Sequence, residues 1–125
     1  LYRDPYSEYG RLTYEIWRSI RLVVDTGLHS LGWSRERAIE YFAANAGKSL
    51  HDIEQEVDRY LVMPGQALGY KIGQLKISEI RRNAEAKMGA KFNVRAFHDA
   101  ILENGALPLD ILEKRMNRWM ANGRG

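Results

Sequence analysis

The sequence contains no cysteine. A disulfide scaffold and any zinc site built on cysteine are therefore excluded. It has three prolines and no apolar run near the roughly 20 residues that a membrane-spanning helix needs. Strand-like alternation is scarce. No HExxH, GxSxG, Walker loop or GxGxxG occurs, so no complete catalytic or nucleotide-binding apparatus is spelled out. His29, His51 and His98 stand far apart, and no metal-ligating cluster is expected. Charge of one sign is also weak. The net charge is +3, with Lys and Arg spread from Arg3 to Arg124 among acids. A nucleic-acid binder concentrates such an excess on one face, so nucleic acid is not the expected partner.

What the chain does have is helix signal. Its 125 residues suit one all-α domain or fragment spanning 1–125. About six helices are expected. The first starts at the cap-then-proline pair Asp4-Pro5 and runs to about Leu31, before Gly32. Ser34 caps the second, which stops at Gly47, and Ser49 caps the third, LHDIEQEVDRYLV. A fourth begins at Met63-Pro64-Gly65 and ends at Gly89, with Gly69, Gly73, Ile77, Ile80, Ala84 and Met88 on one face. Asn93 caps the fifth, which reaches Gly105; the sixth runs from about Pro108 to Ala121, and the tail NGRG should fray. The chain opens with Leu1 rather than Met and with no leader-like stretch. That reads as a fragment, a processed product or an excised domain.

The first helix raises the functional question. On a wheel of about 100° per residue, Arg18, Arg21, Asp25 and His29 share a polar band about 80° wide. Ile16, Ile20, Val23 and Gly27 fall opposite it, and Trp17, Val24 and Leu28 flank. Asp25 and His29 are i,i+4 neighbours, so the carboxylate can fix the imidazole's tautomer, and Arg21 can pair with Asp25. Such a stripe suits gripping a carboxylate or donating to a developing oxyanion. The plainer reading is a solvated face with ordinary ion pairs, each contributing about 0.3–0.5 kcal/mol. Thr26-Gly27 weighs against it, because better helix formers were available.

The stretch MPGQALGYKIG has a similar character. Gln66 is expected in the first turn of the fourth helix, near free backbone N–H groups, with Tyr70 on the same face and Lys71 adjacent. An amide and a phenol so placed can hold a peptide carbonyl; the plainer reading is a helix start with a packed Tyr. Gly69 and Gly73 each cost a helix about 1 kcal/mol relative to Ala. Close approach of another helix or of a bound chain would account for them.

The stretches RxxRLVVDTGLHSLGWS, YLVMPGQALGYKIGQLKI and FNVRAFHDAILENGALPLDILE resemble, in order and spacing, the C-terminal part of the bacterial domain-of-unknown-function family 885. The resemblance runs from about Asp4 to Met120. Members of that family resemble mostly helical zinc metallopeptidases of the HExxH type, whose zinc motif and EGWALY-like segment lie upstream of a region like this one. The resemblance implies a bacterial parent, exported, lipid-anchored or cytoplasmic, that holds zinc while this chain holds no cofactor. It implies His29 and Tyr70 as catalytic donors to an oxyanion or carbonyl. It makes Arg21 a partner for substrate carboxylate, Asp25 the orienter of His29, Gln66 a backbone contact and Gly69 a point of close approach. Expected partners are a peptide substrate, the N-terminal remainder of the parent, and a second copy through an exposed apolar face. Lacking zinc ligands and a general-base glutamate, the isolated chain should be inactive. The rival reading is a non-catalytic helical module that binds a peptide or protein; it should expose no large apolar face.

Overall fold

The computed structural model describes residues 3–123, and among them there are six α-helices and no strand. They are α1 (Pro5–Ser30), α2 (Arg35–Asn45), α3 (Leu50–Val62), α4 (Gly69–Met88), α5 (Val94–Leu102) and α6 (Leu109–Ala121). Local chemistry sets most starts. The Asp4 carboxylate accepts from the Ser7 N–H at 2.8 Å ahead of Pro5, and Ser34 and Ser49 accept from Arg37 and Asp52 N–H groups at 3.2 Å. Asn93 accepts from both Arg95 and Ala96 N–H groups. Each satisfies donors that a helix start leaves open.

One expected boundary moves. The fourth helix does not begin at Pro64: Gly65 takes a left-handed conformation, φ 79°, and Gln66–Leu68 form a separate 3-10 turn. The α-helix starts at Gly69. A left-handed residue cannot sit inside a right-handed helix, so the start is displaced by one turn. At the chain end, Arg124 and Gly125 of the NGRG tail lie outside the described residues, as does Leu1.

The contacts divide the chain into two compact units, one ending at Ile72 and one starting at Gly73. In the first, α1 packs on α2, α3 and the 3-10 turn, and α2 packs on α3. Its core holds Ile20, Val24, Phe42, Ile53, Val57 and Tyr60, with Trp17 set edge-on to Phe42 at 4.7 Å between ring centres. In the second, α5 packs on α6, and Ile80, Ala84, Phe97, Leu112 and Met116 form the core. Trp119 meets Phe97 edge-on at 6.2 Å.

Candidate functional site

The buried face of α1 is only in part the one the wheel suggested, since Ile20 and Gly27 are buried as placed. Ile16 and Val23, placed opposite the polar band, are 47% and 36% exposed, whereas Arg21 and Asp25 are 8% and 2% exposed. The buried arc is centred on Trp17, Val24 and Leu28 and runs from Gly27 round to Asp25. Helical spacing fixes which residues share a face, but neighbours decide which face is covered. Here α2, α3 and the 3-10 turn cover the side that carries the charges. Thr26 is exposed; Gly27 is the residue that needs explaining. A Cβ on Gly27 would lie 2.5 Å from the Trp33 ring, and the Trp33 backbone N–H donates to the Gly27 carbonyl at 2.9 Å. Gly27 therefore exists so that the indole can lie on the helix.

The buried Asp25 does not reach His29. Both of its carboxylate oxygens accept from the Gly65 N–H, at 3.1 and 3.2 Å. Asp25 thus clamps the left-handed turn that launches Gln66 and Tyr70 from the end of α3. His29, exposed in the last turn of α1, engages the Tyr60 carbonyl through Nε2 at 2.9 Å. The expected Asp25–His29 pair is replaced by two contacts to backbone groups, and Arg21 pairs with neither residue. Gly69 and Gly73 have open space where a Cβ would stand, so no helix of the described residues crowds them.

Arg21, Gln66 and Tyr70 do come together. The Arg21 Nη2 donates to Gln66 Oε1 at 3.1 Å, and its guanidinium lies 4.6 Å from the Tyr70 ring centre and 5.4 Å from that of Tyr60. Such cation–π contacts contribute about 0.5–2 kcal/mol each. Yet only one of a guanidinium's five N–H donors has a protein acceptor among the described residues, and the buried Nε has none. An unmet buried donor costs about 1–3 kcal/mol. The Tyr70 hydroxyl, on a half-exposed ring, also has no protein partner among these residues.

Four residues not anticipated as site residues, Lys48, Glu56, Arg59 and Tyr60, complete the group. Arg59 reaches Gln66 Oε1 at 3.4 Å and forms an ion pair with Glu56 at 2.7 Å. The Tyr60 hydroxyl donates to Glu56 at 2.6 Å. Burial pushes the Glu56 carboxyl up, but the hydrogen bonds from Arg59 and Tyr60 and the charges of Arg59 and Arg21 hold it below its ordinary value. Burial, reinforced by Glu56, pushes the Tyr60 phenol well above its ordinary range, so Tyr60 stays a neutral donor. Lys48, in the loop between α2 and α3, lies over the Trp17 ring at 5.5 Å. Arg21, Lys48, Glu56 and Arg59 together line a cavity of about 250 Å³ with Thr13, Tyr14 and Trp17. The only early signal for Glu56 and Arg59 was their i,i+3 spacing, which any solvated helix shares.

The zinc that the resemblance implies finds no fit here. Among the described residues, no group of three His, Asp or Glu side chains is placed to hold a metal ion. His51 is exposed and contacts Gln55, and His98 is exposed beside Phe97. No helix among these residues is long and apolar enough to cross a membrane.

Residues 1–116 match a family described as "Bacterial protein of unknown function (DUF885)". The chain is also similar to the crystal structure of the putative lipoprotein from Colwellia psychrerythraea. The two are 48% identical, with a TM-score of 0.92 over 95% of this chain. This chain spans 20% of the length of that one. No curated protein matches.

Proposed function

The chain belongs to the bacterial DUF885 family, and on that premise we propose that it is the helical, substrate-facing region of a larger peptide-hydrolysing protein. The observation that carries this reading is the convergence of Arg21, Gln66 and Tyr70 around donors that the protein itself leaves unused. In this reading Tyr70 and Gln66 hold the peptide backbone and Arg21 holds an anionic group of the substrate. Asp25 acts one step removed, by fixing the turn that places Gln66 and Tyr70. His29, exposed at the end of α1, is the second candidate; its Nε2–H is held by the Tyr60 carbonyl and would have to leave it to reach a substrate. The hydrolytic chemistry, and the zinc that the resemblance implies, belong to the remainder of the parent. An exported or lipid-anchored parent is in keeping with the Colwellia relative.

A second observation favours a region cut from a larger assembly over a self-contained module. Tyr6, Tyr9, Leu12, Tyr14 and Ile16 are all exposed along the first half of α1, from 47% to 88%. Tyr9, Leu12 and Ile16 share one side of the helix, and an exposed apolar stripe of this kind marks a face that another body covers, here assigned to the rest of the parent.

The test is turnover in the intact parent. Tyr70→Phe and His29→Ala are each expected to lower kcat/KM on a peptide by about tenfold or more, the scale of a lost carbonyl or oxyanion donor, while the melting temperature holds. Unchanged kcat/KM in both variants would overturn the role assignment.

A further inference from the structure

The 250 Å³ cavity carries a surplus of positive charge that the fold does not neutralise. Its one carboxylate, Glu56, is ion-paired with Arg59 and accepts from the Tyr60 hydroxyl, while the Arg21 charge acts on it without a direct bond. That leaves Arg21 and Lys48, neither of which is ion-paired with a carboxylate among the described residues. Arg21 is more than nine-tenths buried, with its Nε unbonded and a single hydrogen bond on Nη2. Lys48 stands across Trp17 at the same cavity. A guanidinium with N–H donors left without an acceptor and a lysine ammonium on the same cavity have the chemistry of a carboxylate site: planar donors for the oxygens, and a point charge beside them.

Building on the proposed function, we propose that this cavity binds a carboxylate of the peptide substrate, gripped by Arg21 and Lys48. The region then selects short peptides that end in, or carry, an anionic group close to the bond that is cut. Arg59 and Glu56 act as positioning residues. Arg59, paired with Glu56, shares Gln66 Oε1 with Arg21, which ties the guanidinium to the cavity wall.

The test uses the intact parent and three N-acetylated peptides in equilibrium titrations: Ala-Ala-Ala as the free acid, its C-terminal amide, and Ala-Glu-Ala as the amide. The free acid is expected to bind more tightly than its amide by about tenfold or more, the scale of a charge-assisted hydrogen bond. Lys48→Gln, a change at an exposed loop residue that leaves the fold intact, should narrow that gap. If the Glu-containing amide matches the free acid, the site takes a side-chain carboxylate as well as a terminal one; if it matches the plain amide, it takes the terminus alone. Equal binding of all three peptides, or a gap that Lys48→Gln leaves untouched, overturns this inference and spares the proposed function. Failure of all three peptides to bind overturns both.

Discussion

The unit ending at Ile72 buries Arg21 and Asp25 beside Val24, Phe42 and Tyr60, whereas the described part of the unit starting at Gly73 buries apolar side chains alone, Ile80, Phe97 and Met116 among them. Both units solve the same packing problem with helices and one or two aromatic rings. The second shows that this can be done without sinking a charge. Desolvating an ion costs several kcal/mol, and partners in the interior return that only when every donor is met. Around Arg21 the donors are not all met. On the proposed reading the difference is one of use: the first unit holds an incompletely bonded cation that a bound anion would complete.

The comparison can be strained from both sides. The largest effect should come from the two central rings, which are 0% and 1% exposed. Phe42→Ala in the first unit and Phe97→Ala in the second should each cost about 3–5 kcal/mol in denaturant unfolding. A loss below about 1 kcal/mol at either ring would remove it from the core. The next effect is at Gly27, where Gly27→Ala drives a methyl into the Trp33 ring and should cost about 1–3 kcal/mol. Gly73→Ala is its mirror. With open space around it in the middle of α4, the change should raise stability by up to about 1 kcal/mol. A destabilising Gly73→Ala would instead signal a body lying against that glycine in the parent.

The smallest effect is a pH dependence. The Glu56 carboxyl sits below its ordinary value of 4.5 in the folded chain. A depressed carboxyl stabilises fully above its unfolded value and loses that contribution as pH falls through the folded one. Glu56→Gln should therefore lower the melting temperature at neutral pH, and the difference from the unaltered protein should close in acid below about pH 4. A gap of constant size across that range would show that the Arg59 and Tyr60 contacts do not depend on the charge.

The helix starts were legible because their causes are local: Asp4, Ser34, Ser49 and Asn93 cap the turns that follow them. Gln66 and Tyr70 were legible as a pair for the same reason, being four residues apart beside a Pro-Gly break. The side of α1 that is buried was not legible. Its wheel has two candidate faces, and only the positions of α2, α3 and the 3-10 turn choose between them. The meeting of Arg21 with Tyr60 and Gln66 is likewise tertiary, joining residues separated by 39 and 45 positions. Lys48 gave no signal, since a loop lysine has no periodicity to betray it. The division between the units was hidden because it falls within α4, between Ile72 and Gly73, with no linker composition to mark it.

The central claim is that Arg21 is buried for binding and not for folding. The most direct test is Arg21→Met in the intact parent, with the melting temperature and the affinity for a free-acid peptide measured on the same sample. Met fills much of the same volume and needs no acceptor, so the change removes the unmet Nε donor along with the single Gln66 hydrogen bond. The account predicts a melting temperature within a few degrees of the unaltered protein and a loss of peptide affinity of about tenfold or more. A protein that melts far lower, yet whose folded fraction binds the peptide as before, would contradict it.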